Sequence, residues 1–153
     1  MIVFIDSGVL GKICNPNISP EIRAVQGWLF KLLARGVLVV SSDICDYEVR
    51  RGLILSQQKN PHISGLEKLI ESHELIEFLP ITGETLDIAA QLWADTRISG
   101  QPTADDRSLD ADLIICATWR LLTIAEPGRF AVIATTNVKH LSRFAIAETW
   151  ENI

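Results

Sequence analysis

The sequence predicts an α/β fold, a three-layer α/β/α sandwich around a central parallel sheet, and three observations predict it. Short, β-branched apolar runs recur along the chain, at Ile2–Ile5, Val37–Ser41, Leu75–Pro80 and Ala131–Thr135. Most are apolar on both faces, as in strands covered on both sides by helices. Between them lie segments with helical spacing of apolar residues, and this alternation argues for parallel strands joined by helical crossovers. No linker, repeat or low-complexity tract divides residues 1–153, so a single domain is expected.

The elements follow in order. Met1-Ile2-Val3-Phe4-Ile5 is a buried strand that runs into Asp6-Ser7, and Ser7–Ile13 is a short helix or turn. Ser19-Pro20-Glu21 is an N-cap with proline at the first helical position. The helix it opens runs to about Arg35, with Ile22, Val25, Leu29, Leu32 and Leu33 as its apolar stripe, and Gly36 ends it. After the second strand, Ser42-Asp43 opens a helix that carries Glu48, until Asn60-Pro61-His62 breaks it. A helix of about two turns reaches Glu71. The third strand is followed by a helix from Thr82 to Thr96 and a polar loop from Ile98 to Arg107. From Leu113 to Trp119 the chain is apolar nearly all round, which predicts a helix buried in the middle of the protein, with Asp110 and Asp112 at its mouth. The fourth strand leads into Thr136-Asn137-Val138-Lys139-His140, and a short fifth strand follows Ala145–Ala147.

Composition narrows the function. The chain is 48% hydrophobic and 22% charged, which supports a packed core. No apolar run is long enough to span a membrane, and the opening run lacks the basic flank of a signal peptide, so a cytoplasmic protein is expected. Cys14, Cys45 and Cys116 have neither pairing number nor metal spacing and read as buried thiols in a reducing compartment. A net charge of −5 argues against a broad basic face for duplex DNA but not against a nuclease, whose metal-binding carboxylates are themselves negative.

In a doubly wound sheet the polar strand and helix ends meet at one edge: Asp6, Glu48, Asp110 or Asp112, Asn137 and His140. Converging carboxylates repel one another, and a divalent cation offsets that cost. Oxygen ligands suit Mg²⁺ or Mn²⁺, and such a site suits phosphodiester hydrolysis. For Asp6 alone, a helix cap accounts for the acid equally well. Asp110 and Asp112 are separated by about 200° of helical rotation, so both reach one point only if Asp110 is the non-helical cap.

The ordered set resembles the PIN domain family, and within it the VapC-type toxins of toxin–antitoxin modules. Four features carry the resemblance: the strand ending in Asp6-Ser7, Ser41-Ser42 followed by Glu48 and Gly52, Asp112-Leu113-Ile114-Ile115 followed by Ala117, and Thr135-Thr136-Asn137 followed by His140-Leu141. The resemblance covers essentially the whole chain. It implies a metal-dependent endoribonuclease that hydrolyses RNA, dimerises and is held inactive by a small antitoxin. By it, Asp6, Glu48 and Asp112 are the catalytic acids and hold Mg²⁺ or Mn²⁺ with Asp110 as a further candidate ligand, while Ser7, Asn137 and His140 support the site. Lys12, Arg50, Arg51, Lys139 and Arg143 are available to grip RNA phosphates. Two positions depart from the family pattern. His140 stands where a fourth acid is common, and Gly8 where a polar residue usually follows the Asp-Ser pair. Both favour the alternative, a catalytically degenerate PIN-fold module that binds RNA or protein. Asp105, Asp106, His62 and His73 are expected to be solvated surface, and Trp28, Trp93, Trp119 and Trp150 to serve the core or an interface.

Overall fold

The opening strand, β1 (Ile2–Ile5), is inaccessible to solvent at every position. The computed structural model describes residues 1–62, 64–103 and 110–153. After β1 the chain forms α1 (Ser7–Ile13), α2 (Pro20–Ala34), β2 (Leu38–Ser42), α3 (Asp43–Lys59) and α4 (Leu66–Ser72). It continues as β3 (Glu77–Leu79), α5 (Gly83–Ile98), α6 (Ala111–Ala125), β4 (Ala131–Thr135), α7 (Val138–Leu141) and β5 (Ala147–Thr149), with a last 3-10 turn at Trp150–Asn152.

Every strand pair is parallel, and the sheet order is β3-β2-β1-β4-β5. The first three strands therefore build outward in one direction and the last two in the other, with the reversal between β1 and β4. In such sheets a crevice opens beyond the carboxyl ends of the two strands that flank the reversal. Ile5 pairs with Ala134. The next residues, Asp6 and Thr135, thus stand side by side at the mouth of that crevice. On the other flank, Ser41 Oγ donates to the Ile5 carbonyl at 2.8 Å and fastens the end of β2 to β1.

Helices cover the sheet, as strands buried on both faces require. In α6, Leu113 through Trp119 are all buried, so the helix has no solvated face over that stretch. Trp28 of α2 meets Trp150 edge-on, with ring centroids 5.8 Å apart, and this contact ties α2 to the final turn. Trp119 lies within the core. Cys14, Cys45 and Cys116 are free and buried, and burial pushes all three thiols up to about 12. They remain neutral thiols at physiological pH, which argues against nucleophilic roles.

Two element boundaries differ from the sequence pattern. β3 is shorter than the apolar run at 75–80 because the Leu75 and Ile76 amides bond the Ser72 carbonyl and leave α4 in a turn. α5 begins beyond Thr82, which forms a reciprocal capping box with Thr85, and extends past Thr96 to Ile98, where Gly100 at φ 70° turns the chain. The expected solvated pair Asp105 and Asp106 lies outside the described residues. No helix among the described residues is long and apolar enough to cross a membrane.

Candidate functional site

Asp6 caps α1 and stands at the mouth of the crevice. It is 5% exposed, and its Oδ1 accepts from the Val9 amide at 2.8 Å, closing the N-terminus of α1. Its Oδ2 accepts from Thr135 Oγ1 at 2.5 Å. Thr135 Oγ1 in turn accepts from the Asn137 amide at 2.8 Å, so the hydroxyl has one orientation, toward Asp6. Among the described residues no basic side chain pairs with this carboxylate. Burial, aided by repulsion from Asp112, lifts Asp6 from its ordinary 3.8 to about 6 against the lowering effect of its hydrogen bonds.

Asp112 is in the first turn of α6, and its pKa is also raised. Burial is the main cause, repulsion from Asp110 is the next, and Glu48 adds to it. His140, on α7, opposes the rise: its Nδ1 lies 3.5 Å from Asp112 Oδ2. Glu48 is in the second turn of α3, and Arg51 Nη2 lies 3.4 Å from its Oε1. Ser7, Gly8 and Gly11 of α1 face Glu48, Arg51 and Gly52 of α3 across an open cleft of about 420 Å³. The acids therefore come from three separate elements that converge where the strand order reverses.

Asp110 is the non-helical N-cap of α6 and accepts from the Leu113 amide at 3.3 Å. Its other oxygen takes the Thr103 hydroxyl, and the residue also borders a hollow beside Leu86 and Trp93 of α5. Its carboxylate is thus engaged in local structure while its charge still acts on Asp112.

The supporting positions divide. Ser7 opens α1 at the cleft, and Asn137 caps α7 through its backbone with its side chain exposed. Gly8 has a physical explanation: a Cβ there would sit 2.5 Å from Thr136 Oγ1 and 3.4 Å from Asp6 Oδ1. The end of β4 thus brings a hydroxyl to the place where a side chain at position 8 would stand. Several basic residues have partners away from the cleft. Lys12 pairs with Glu21, Arg50 forms a two-pronged pair with Asp46, and Arg143 Nη2 donates to the Gln101 carbonyl at 2.6 Å. Arg51 lines the cleft, and Lys139 is exposed on α7.

Sequence reasoning gave no role to two residues that the structure ties to distant partners. Thr135 is one, although its place at the end of β4 beside β1 marks it as the neighbour of Asp6. The other is His73, expected to be plain surface. Its ring stacks on Phe78 at 3.9 Å, and its Nε2 lies 2.7 Å from Asp46 Oδ2. The side chain remains 41% exposed, yet it joins α3 to the end of α4 and to β3.

The donor chemistry fits a hard divalent cation: carboxylate oxygens, one of them buried with no basic partner among the described residues and already lifted in pKa. Asp6, Asp112 and Glu48 are the residues that could hold it. Among the described residues, no three His, Cys, Asp or Glu side chains are drawn together tightly enough to grip an ion as they stand. Glu48 lies beside Arg51 and Asp112 beside His140.

No family model matches this chain, and no curated protein matches it. Solved structures do share its fold. A VapBC2 structure from Rickettsia felis, bound to a DNA fragment from its promoter, superposes with a TM-score of 0.69 at 20% identity, over 98% of this chain and 99% of that one. VapBC-1 from nontypeable Haemophilus influenzae gives 0.69 at 16% identity, over 99% of both. VapC20 from Mycobacterium tuberculosis, a toxin that cleaves the sarcin–ricin loop, gives 0.51 at 14%, over 94% of this chain and 96% of that one.

Proposed function

We propose that this chain is a VapC-like toxin of the PIN domain family, a metal-dependent endoribonuclease acting as one domain over residues 1–153. The supporting observation is the convergence of Asp6, Glu48 and Asp112 at the reversal point of the sheet, with Asp6 buried, unpaired by any basic residue described and raised to about 6. Each structural relative reported above is a VapC toxin or its complex with an antitoxin.

Asp6, Glu48 and Asp112 would hold Mg²⁺ or Mn²⁺. The ion, once bound, would activate water for in-line attack and neutralise charge developing on the phosphate. The chain's own part is positional. Thr135 and the Val9 amide fix both oxygens of Asp6. Asn137 orients the Thr135 hydroxyl through its amide. His140 stands beside Asp112. Arg51, which lines the cleft beside Glu48, and the exposed Lys139 would meet the RNA backbone, whereas Lys12, Arg50 and Arg143 have their partners away from the cleft.

Partners follow from the same reading. A small antitoxin would occlude the acidic cleft with a basic or aromatic side chain, helices would supply a homodimer contact, and the protein would act in the cytoplasm. Asp6→Asn should abolish RNA cleavage while leaving the circular dichroism spectrum unchanged. Full activity in that variant overturns the assignment. The alternative, a degenerate module, is favoured by the contact between His140 and Asp112, which occupies a carboxylate that the ion would need. Calorimetric titration separates the two, because a degenerate module takes up no Mn²⁺ at micromolar concentration.

A further inference from the structure

The cleft at Glu48 does not end there. It continues along α3 into a second hollow of about 400 Å³, and the two share Gly11, Leu53 and Ser56 as walls. Glu48, Gly52, Ser56 and Lys59 follow one another at helical spacing along one face of α3, which makes the groove about 16 Å long from first to last. Gly11 forms part of the opposite wall, and a Cβ there would already come within 3.7 Å of Val49. At Gly52 a Cβ would meet nothing within 4 Å, so the groove floor is open.

Its charge differs from that of the molecule. The chain carries −5, yet beyond Glu48 the described residues lining both hollows include the cations Arg51 and Lys59 and no further acid. Asn15, Asn17 and Asn60 add amides, and Leu53 and Pro16 add apolar surface. Cations for phosphates, amides for base edges and apolar patches for base faces are what a single strand requires.

We propose that this groove is the track for the single-stranded RNA flanking the cleaved bond, running from the acids at Glu48 toward Lys59. The choice of RNA as the polymer rests on the ribonuclease reading, whereas the groove itself is tested by binding, apart from cleavage.

The probe is a labelled single-stranded oligoribonucleotide, followed by fluorescence anisotropy in EDTA. Gly52→Trp fills the open floor and should weaken binding by about tenfold or more. Gly83→Trp is the matched control: it sits at the start of α5, also with open space around it, and should bind as the wild type does. Thermal melts check that both variants fold. Lys59→Ala should reduce the slope of log affinity against log salt by about 0.7, the share of one phosphate contact on a single strand. Wild-type affinity and salt slope in the Gly52 and Lys59 variants overturn the proposal and leave the groove to a protein partner. Wild-type protein that binds no RNA also overturns it. Wild-type protein that binds RNA in this groove but never cleaves it refutes the ribonuclease reading and supports the track.

Discussion

Thr135 and Asp6 are joined side chain to side chain across 129 residues of sequence, by a 2.5 Å hydrogen bond between the ends of two central strands. The bond favours the ionised carboxylate and opposes burial. Thr135→Val keeps the shape and removes the donor. The Asp6 carboxyl should then titrate above its wild-type value of about 6, as read from its carbon resonance by NMR. RNA cleavage should fall, more steeply at acid than at alkaline pH. A hydrogen bond to a charged group contributes about 1.5–3 kcal/mol, so the stability loss at neutral pH should be of that order.

Asp6 also makes metal-free stability depend on pH. Its native value, about 6, exceeds the ordinary 3.8, so the folded protein holds this proton more tightly than the unfolded chain does. The contribution is full below the lower value and is lost as pH rises through the interval to the upper one. At 1.36 kcal/mol per unit it amounts to about 3 kcal/mol. Asp6→Asn should abolish that decline. In EDTA the variant should be more stable than wild type at pH 8 and lose the advantage toward pH 4, as denaturant melts would show.

His140 touches Asp112 and brings no permanent negative charge. His140→Asp should add a carboxylate beside Asp112, raise Mg²⁺ affinity and increase Mg²⁺-supported cleavage. His140→Ala should lack both gains. Nitrogen tolerates Mn²⁺ better than Mg²⁺, so wild type should prefer Mn²⁺. Calorimetry and cleavage assays in each metal check this. Identical behaviour of both variants and wild type removes His140 from the site.

Partial burial pushes Asp46 up, but hydrogen bonds from Arg50 and His73 outweigh it and hold the acid below its ordinary value. His73→Ala removes one of those bonds and the stack on Phe78. It should destabilise the protein by about 1–2 kcal/mol. Asp46→Asn should behave similarly, and the double variant should lose less than the sum, as measured by urea unfolding in a double-mutant cycle.

The architecture was legible because burial on both strand faces and the all-round apolar run at 113–119 admit few alternatives. Asp6 and Asp112 stand out in the sequence because each borders an apolar run, whereas Glu48 lies on a polar helix among Asp46, Arg50 and Arg51 and enters the expected set only through the order of the elements. Thr135 was harder to find, because a threonine is at home in any strand and only the register of β1 against β4 gives it Asp6 as a partner. His73 was missed because its partners, Phe78 and Asp46, lie on two other segments, and no local pattern announces a contact of that kind. The basic residues show the converse. Proximity in sequence to the acids suggested Lys12 and Arg143 as cleft residues, yet each has its partner elsewhere.

The pairing of β1 with β4 also sets when the acidic cluster can assemble. Residues 2–5 leave the ribosome long before their neighbours at 131–134. Contacts so distant in sequence form late, since chain closure must precede them. A nascent chain that has not yet passed Thr135 has its first acid in place without the strand that orients it. On the proposed ribonuclease reading, synthesis thereby carries its own delay, and the translating ribosome works beside a chain whose acids are not yet assembled.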